Sequence, residues 1–290
     1  MSMNFGTLLV SGLAILLAVT TTIESSIGEW IALSLIVLAG IPHGSFDLRV
    51  AEAKWAETSR SRLSILTVYV FSGVAMSALC IMFPTVGLAL FLLISILHFS
   101  EGEMAHGGRV RGWVIGCSAI VLPIGLHLSG AQGYLRYFVS SDLLESLSPF
   151  LRLFAISLVV VLSIQLGRDT LQRDRGIDSD TLQRWVCLGA WLLLPPLSGF
   201  CVWFIGRHSR KHLEVCKELF RGSRFGMPLD FLVISLVAIL LIIPLSLLFD
   251  LRDINQLFAA SIVLIAGLTL PHMLVTHDLR ETMKRIRLRT

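Results

Sequence analysis

WVCLGAWLLLPPLSGFCVWFIGRHSRKH, residues 185–212, is the stretch on which the fold turns. Its first two thirds are apolar enough to cross a bilayer. A single crossing by 185–205 would put Arg207, Arg210, Lys211, Lys217, Arg221 and Arg224 on the far side, as the most basic connection in the chain. Basic connections belong on the cytoplasmic side of a membrane protein. The double proline Pro195-Pro196, followed by Ser198-Gly199, offers another path. It removes two backbone donors and disfavours helix at the residue before it. The stretch therefore reads as a Pro-broken, re-entrant or hairpin element near 195–199 that returns to the side it left. Irregular backbone at that depth is tolerated where protein or a cavity surrounds it.

The rest of the chain supports this reading. Of its 290 residues 54% are hydrophobic and only 15% charged, with a mean hydropathy of +0.78. Soluble domains carry about 25% charged residues. Apolar runs at about 5–23, 30–42, 63–83, 85–98, 112–128, 149–166, 185–205, 229–249 and 257–275 approach or reach the roughly 20 residues a spanning helix needs. None alternates as a barrel strand does. The expectation is a single all-α integral-membrane domain over 1–290, a polytopic helical bundle of about eight to ten membrane segments. The runs at 30–42 and 85–98 are short and should continue a turn or two past His43 and His98. No basic residue precedes the first run, so it reads as a membrane helix rather than a signal peptide.

With the N-terminus in the cytoplasm and 185–205 folded back, all the 24 Lys and Arg except Arg136, Arg152 and Arg252 face inward. Both termini are then cytoplasmic, and the expected location is the bacterial plasma membrane. The basic tail from Arg280 reads as an interfacial helix near anionic lipid. The net charge of +4 reports orientation rather than nucleic-acid binding, and the five cysteines form no CxxC.

Eight histidines are sorted by this topology. His43, His98, His208, His212 and His272 share one depth near the cytoplasmic face. His208 and His212 are four apart and share a face if that stretch is helical. Histidine in an apolar span is costly unless it does something. Neutral imidazoles without thiolate suit Fe(II), Cu or Zn. Helix-end capping or a backbone carbonyl is the alternative for each ring. Asp47, Glu101 and Glu103 lie close enough in sequence to His43 and His98 to fix a histidine tautomer. His106, His127 and His277 read as solvated or interfacial. Phe46, Phe99, Trp203 and Phe204 could wall a cavity or simply pack helices.

These residues resemble a known family. Gly40-Ile41-Pro42-His43-Gly44-Ser45-Phe46-Asp47 is similar to the GxPHGxxD motif of the Brp/Blh-type β-carotene 15,15'-dioxygenases. His98-Phe99-Ser100-Glu101-Gly102-Glu103 resembles their HFGxxD motif, Arg207-His208-Ser209-Arg210-Lys211-His212 their WHSxRH motif, and Leu270-Pro271-His272-Met273 their LPHM motif. Ser100, Glu103, Arg207 and Lys211 depart from the usual residues. The resemblance implies a membrane-embedded non-haem iron enzyme that cleaves the central double bond of β-carotene, or a related carotenoid, with O2 to give retinal. It implies Fe(2+) held by His43, His98, His208 and His212. Asp47, Glu101, Glu103 and His272 are then expected behind those ligands or beside the substrate. The carotenoid, O2 and membrane lipid are the implied partners, with no nucleic acid.

Other readings are a transporter, a haem-carrying membrane subunit, or a di-iron desaturase or hydroxylase. The chain has no HxxHH pair for the last. An i,i+4 histidine pair on one face suits one ion better than two haem axial positions.

Overall fold

The computed structural model describes residues 4–55, 62–172, 177–219 and 253–277, with Leu236 and Leu240. At 39–43, 53, 62, 105–107 and 219 it describes the backbone alone. Apart from Leu236 and Leu240, the apolar run at 229–249 lies outside the described residues, as does the basic tail at 280–290. The described chain is all-α, and six of its helices are long and apolar enough to cross a membrane. It divides into two compact units, Met1–Gly40 with Ser95–His212, and Ile41–Ile94 with Leu213–Thr290.

The first unit begins with α1 (Phe5–Ile23), whose first turn is capped by the Asn4 side chain accepting from Thr7 N–H. Helix α2 (Ser25–Leu35) runs into a wide π turn at Ile36–Gly40. Helix α5 (Pro84–Gly107) enters this unit at Ser95 and is unbroken at His98, as its short apolar run suggested. It ends where Gly108 takes φ +81°, a conformation that costs glycine little. Then follow α6 (Arg109–Leu126), α7 (Leu128–Leu135) and α8 (Ser141–Leu171). At 31 residues α8 is about 46 Å long, more than the ~30 Å hydrocarbon core.

Helices α9 (Ser179–Leu193) and α10 (Pro196–Trp203) are the expected hairpin. The break falls at Leu194 and Pro195, both extended, and Pro196 opens α10 where its missing N–H costs nothing. Ser198 and Gly199 lie inside α10 rather than at the break. The pairings run outward from the turn. A Cβ on Gly199 would sit 3.0 Å from Ala190 O, the Trp191 and Trp203 rings are 6.2 Å apart, Gln183 meets Arg210, and Asp180 meets Arg207 and Lys211. The two arms are therefore antiparallel. The first arm, at 15 residues, is about 22 Å long, less than the thickness of the hydrocarbon core. A second π turn, Phe204–Ser209, leads into α11 (Arg210–Leu219), and the two π turns pack on each other.

One end of this unit collects the start of α1, the end of α5, the start of α6, the end of α8, the start of α9 and the second π turn. Thr7 bonds Ser179 at 2.8 Å, and Arg111 and Arg184 both bridge Asp169. At the opposite end the hairpin tip is met by the junction of α6 and α7. There His127 Nε2 lies 3.0 Å from Trp191 O, so this histidine bonds a backbone carbonyl.

In the second unit a 3₁₀ turn, Ile41–Phe46, leads into α3 (Asp47–Trp55), followed by α4 (Arg62–Met82), the start of α5, and α12 (Ile254–Thr276). Helices α4 and α12 are antiparallel and close. A Cβ on Gly73 would lie 2.8 Å from Gly267 O, and Ser77 Oγ bonds Val263 O at 3.3 Å. Small residues let membrane helices approach in this way. Phe46, Val50, Ala51, Ile65, Cys216 and Val275 form a buried core. Phe46 is a core residue there, following the packing alternative for its ring.

Candidate functional site

In the first unit His98 and His208 come together. His98 lies on α5 and His208 in the π turn after α10, and both are buried. Their ring centroids are 5.0 Å apart and meet edge to face. Around His208 stand Phe99 at 4.7 Å, Trp203 at 5.3 Å and Phe204 at 5.7 Å. The π turn explains this cage. Widening the helix brings residues four and five positions back under the same ring, so both Trp203 and Phe204 stack on His208. Phe200 extends the wall, 5.2 Å from Phe204. The two imidazoles, each a possible nitrogen ligand in its neutral form, stand among aromatic rings.

Behind this pair is a buried network of charges. Arg207, wholly buried, forks onto Glu103 of α5 through Nε at 2.8 Å and Nη2 at 2.9 Å, and reaches Asp180 of α9 through Nη1 at 2.8 Å. Lys211 lies 3.0 Å from Asp180 and 3.9 Å from Glu103. Arg184 bonds Asp180 and reaches Asp169, which also takes Arg111. Burial alone would push the Asp180 carboxyl up. The charges of Arg207, Lys211 and Arg184 instead hold it well below the usual carboxylate range. Burial likewise opposes the Arg207 charge, and Glu103 and Asp180 more than restore it. Since Arg207 adjoins His208 and Glu103 lies five residues past His98, the network ties together the two elements that carry the imidazoles.

In the second unit Asp47 and His272, both buried, are paired. His272 Nδ1 lies 2.8 and 2.9 Å from the two Asp47 oxygens, and the Tyr69 hydroxyl donates to Asp47 Oδ2 at 2.8 Å. Asp47 opens α3, Tyr69 lies on α4 and His272 follows Pro271 on α12. Both Asp47 and His272 carry atoms of metal-ligand type.

The other expected residues are placed as follows. His43 lies in the 3₁₀ turn, and its side chain and that of His106 are outside the described residues. His212 is half-buried on the first turn of α11. Glu101 is half-buried on α5, whereas Glu103 is buried against Arg207. His277, exposed, caps α12, and its carbonyl accepts from Lys54 Nζ at 2.7 Å. Tyr69, Asp180 and Arg184 were not singled out by sequence. The available signals were weak: Tyr69 is one of only three tyrosines, and Asp180 and Arg184 have i,i+4 spacing.

A family model described as Beta-carotene 15,15'-dioxygenase matches residues 34–280 of this chain. A protein named Beta-carotene 15,15'-dioxygenase, from Uncultured marine bacterium 66A03, is 28% identical over 286 residues, covering 90% of this chain and 98% of that relative. No solved structure matches.

Proposed function

This chain belongs to the β-carotene 15,15'-dioxygenase family, and we propose that it cleaves the central double bond of β-carotene, or a closely related carotenoid, with O2. In that reaction one C=C is broken, each of its carbons takes one oxygen atom, and two molecules of retinal leave. The family match over 34–280 carries the reading. We further propose that the motif histidines His43, His98, His208 and His212 hold the cofactor, Fe(2+). One observation fits such an ion: His98 and His208, both buried, stand with their ring centroids 5.0 Å apart. A ferrous ion held there would supply the one-electron chemistry with O2 that protein side chains lack.

The side chains have their own tasks. Phe99, Phe200, Trp203 and Phe204 offer an apolar wall of the kind a polyene needs and keep water from the imidazoles. Arg207, bound to Glu103 and Asp180, keeps the π turn in one position, so that the His208 ring is held rather than searched for. The substrate would enter from the lipid. The protein would sit in the bacterial plasma membrane with both termini in the cytoplasm, in keeping with its distribution of Lys and Arg.

Expression in a bacterium that accumulates β-carotene tests the reaction. The expected result is loss of orange colour with retinal formed. Persistent pigment beside membrane-inserted, iron-loaded protein would overturn it. His208→Ala and His212→Ala should each remove bound iron, measured by metal analysis of purified protein. Full retention in either variant would strike that residue from the ligand set.

A further inference from the structure

The hydrogen-bonded chain Tyr69–Asp47–His272 has no task in the reaction as described above. It joins three helices of one unit, α4, α3 and α12, and its Asp and His are almost fully buried. A carboxylate only accepts hydrogen bonds, so the His272 Nδ1 facing Asp47 at 2.8 Å carries the proton. In a neutral imidazole the lone pair is then on Nε2. The Tyr69 hydroxyl holds the carboxylate from its other side. Gly44 leaves room for the pair: a Cβ there would sit 3.3 Å from Asp47 Oδ2 and 3.7 Å from His272 Nδ1.

We propose that His272 is itself a metal ligand through Nε2, with Asp47 and Tyr69 as the residues that fix its tautomer and raise its basicity. This goes beyond the four motif histidines and rests on the iron reading above. The residue pattern supports it over a plain tie between helices. A tie needs one hydrogen bond, whereas here a single carboxylate engages the imidazole with both oxygens and is itself fixed by the part-buried Tyr69 hydroxyl. Carboxylate–histidine–metal arrangements have this form, and losing the outer partner costs metal affinity about 10–100-fold.

The test is metal binding rather than turnover. Metal-free protein in detergent is titrated with Fe(2+) under anaerobic conditions and with Co(2+), whose visible absorption reports its ligands. Asp47→Asn keeps the size and an acceptor for Nδ1–H, so a merely structural tie survives, while the carboxylate charge is lost. The expected result is binding about 10–100-fold weaker in Asp47→Asn, a smaller loss in Tyr69→Phe, and in His272→Ala the largest loss with an altered Co(2+) spectrum. Should His272→Ala fail to fold, the two near-isosteric variants carry the test. Parent-like affinity and spectrum in the variants would overturn the inference and leave the iron reading standing. A parent that takes up neither metal would sink both together.

Discussion

Arg207 follows an apolar helix, is wholly buried, and still carries its charge because Glu103 and Asp180 surround its guanidinium. Its planar fork engages both Glu103 oxygens, which a lysine ammonium cannot do. Removing one partner of such a pair leaves a buried charge uncompensated, at a cost of about 3–5 kcal/mol. Arg207→Ala should therefore lose stability on that scale, and Arg207→Lys should recover only part of it, as read from thermal unfolding in detergent. Loss no larger than that of a surface arginine would contradict the network. Asp180 adds a pH dependence. Its folded-state acidity is strengthened relative to the unfolded chain, so its contribution is present above the ordinary aspartate range, about pH 4, and fades as pH falls below it. The stability gap between the parent and Asp180→Asn should be full at pH 7 and shrink below about pH 4. A gap that is constant across that range would remove the charge from the explanation. Arg207 and Lys211 differ from the family motif, and the structure gives each of them a carboxylate partner.

At the scale of elements, helix interfaces and interrupted helices share the work. Gly116 of α6 lies so close to α5 that a Cβ would sit 2.7 Å from Ser100 N and 2.8 Å from Ile96 O. Backbone cannot step aside as a flexible side chain can. Gly116→Leu should therefore cost at least the roughly 1–3 kcal/mol of an overpacked core and displace α5, the helix that carries His98. Gly12→Leu, where a Cβ meets nothing within 4 Å, is the control and should unfold like the parent. Equal midpoints for the two variants would refute the close crossing. The interruptions were only partly legible in sequence. Pro195-Pro196 announced the hairpin, since two missing donors leave a helix little choice. The π turn at Phe204–Ser209 contains no proline and has no such mark. His208 lies in this widened turn and His212 on the first turn of α11 beyond it.

At the scale of the molecule, composition and run length were enough for an all-α polytopic protein, because a chain this apolar must satisfy its backbone internally. The side-chain network was not legible. Arg207 and Glu103 are 104 residues apart, and Asp47 and His272 are 225 apart, so no local pattern could pair them. Charge bias did better, since it acts through the membrane rather than through contacts. It placed the ends of α5 and α8 and the return of the hairpin on one side, and the bridges from Asp169 to Arg111 and Arg184, and from Asp180 to Arg207, join those ends in the first unit. The arrangement makes a prediction about sidedness. In a background without the five native cysteines, single cysteines at Phe5, Arg109 and Ile177 are at the ionic end, while those at Glu24 and Ser141 are at the end of the hairpin tip. A membrane-impermeant maleimide applied to intact cells should label Glu24→Cys and Ser141→Cys, and label the other three only after the membrane is opened. A hairpin that returns His208 to the cytoplasmic side requires a site after it, such as Glu214→Cys on the exposed face of α11, to behave as Ile177→Cys before it does. Labelling of Glu214→Cys in intact cells, with Ile177→Cys still protected, would mean that 185–205 crosses the membrane once.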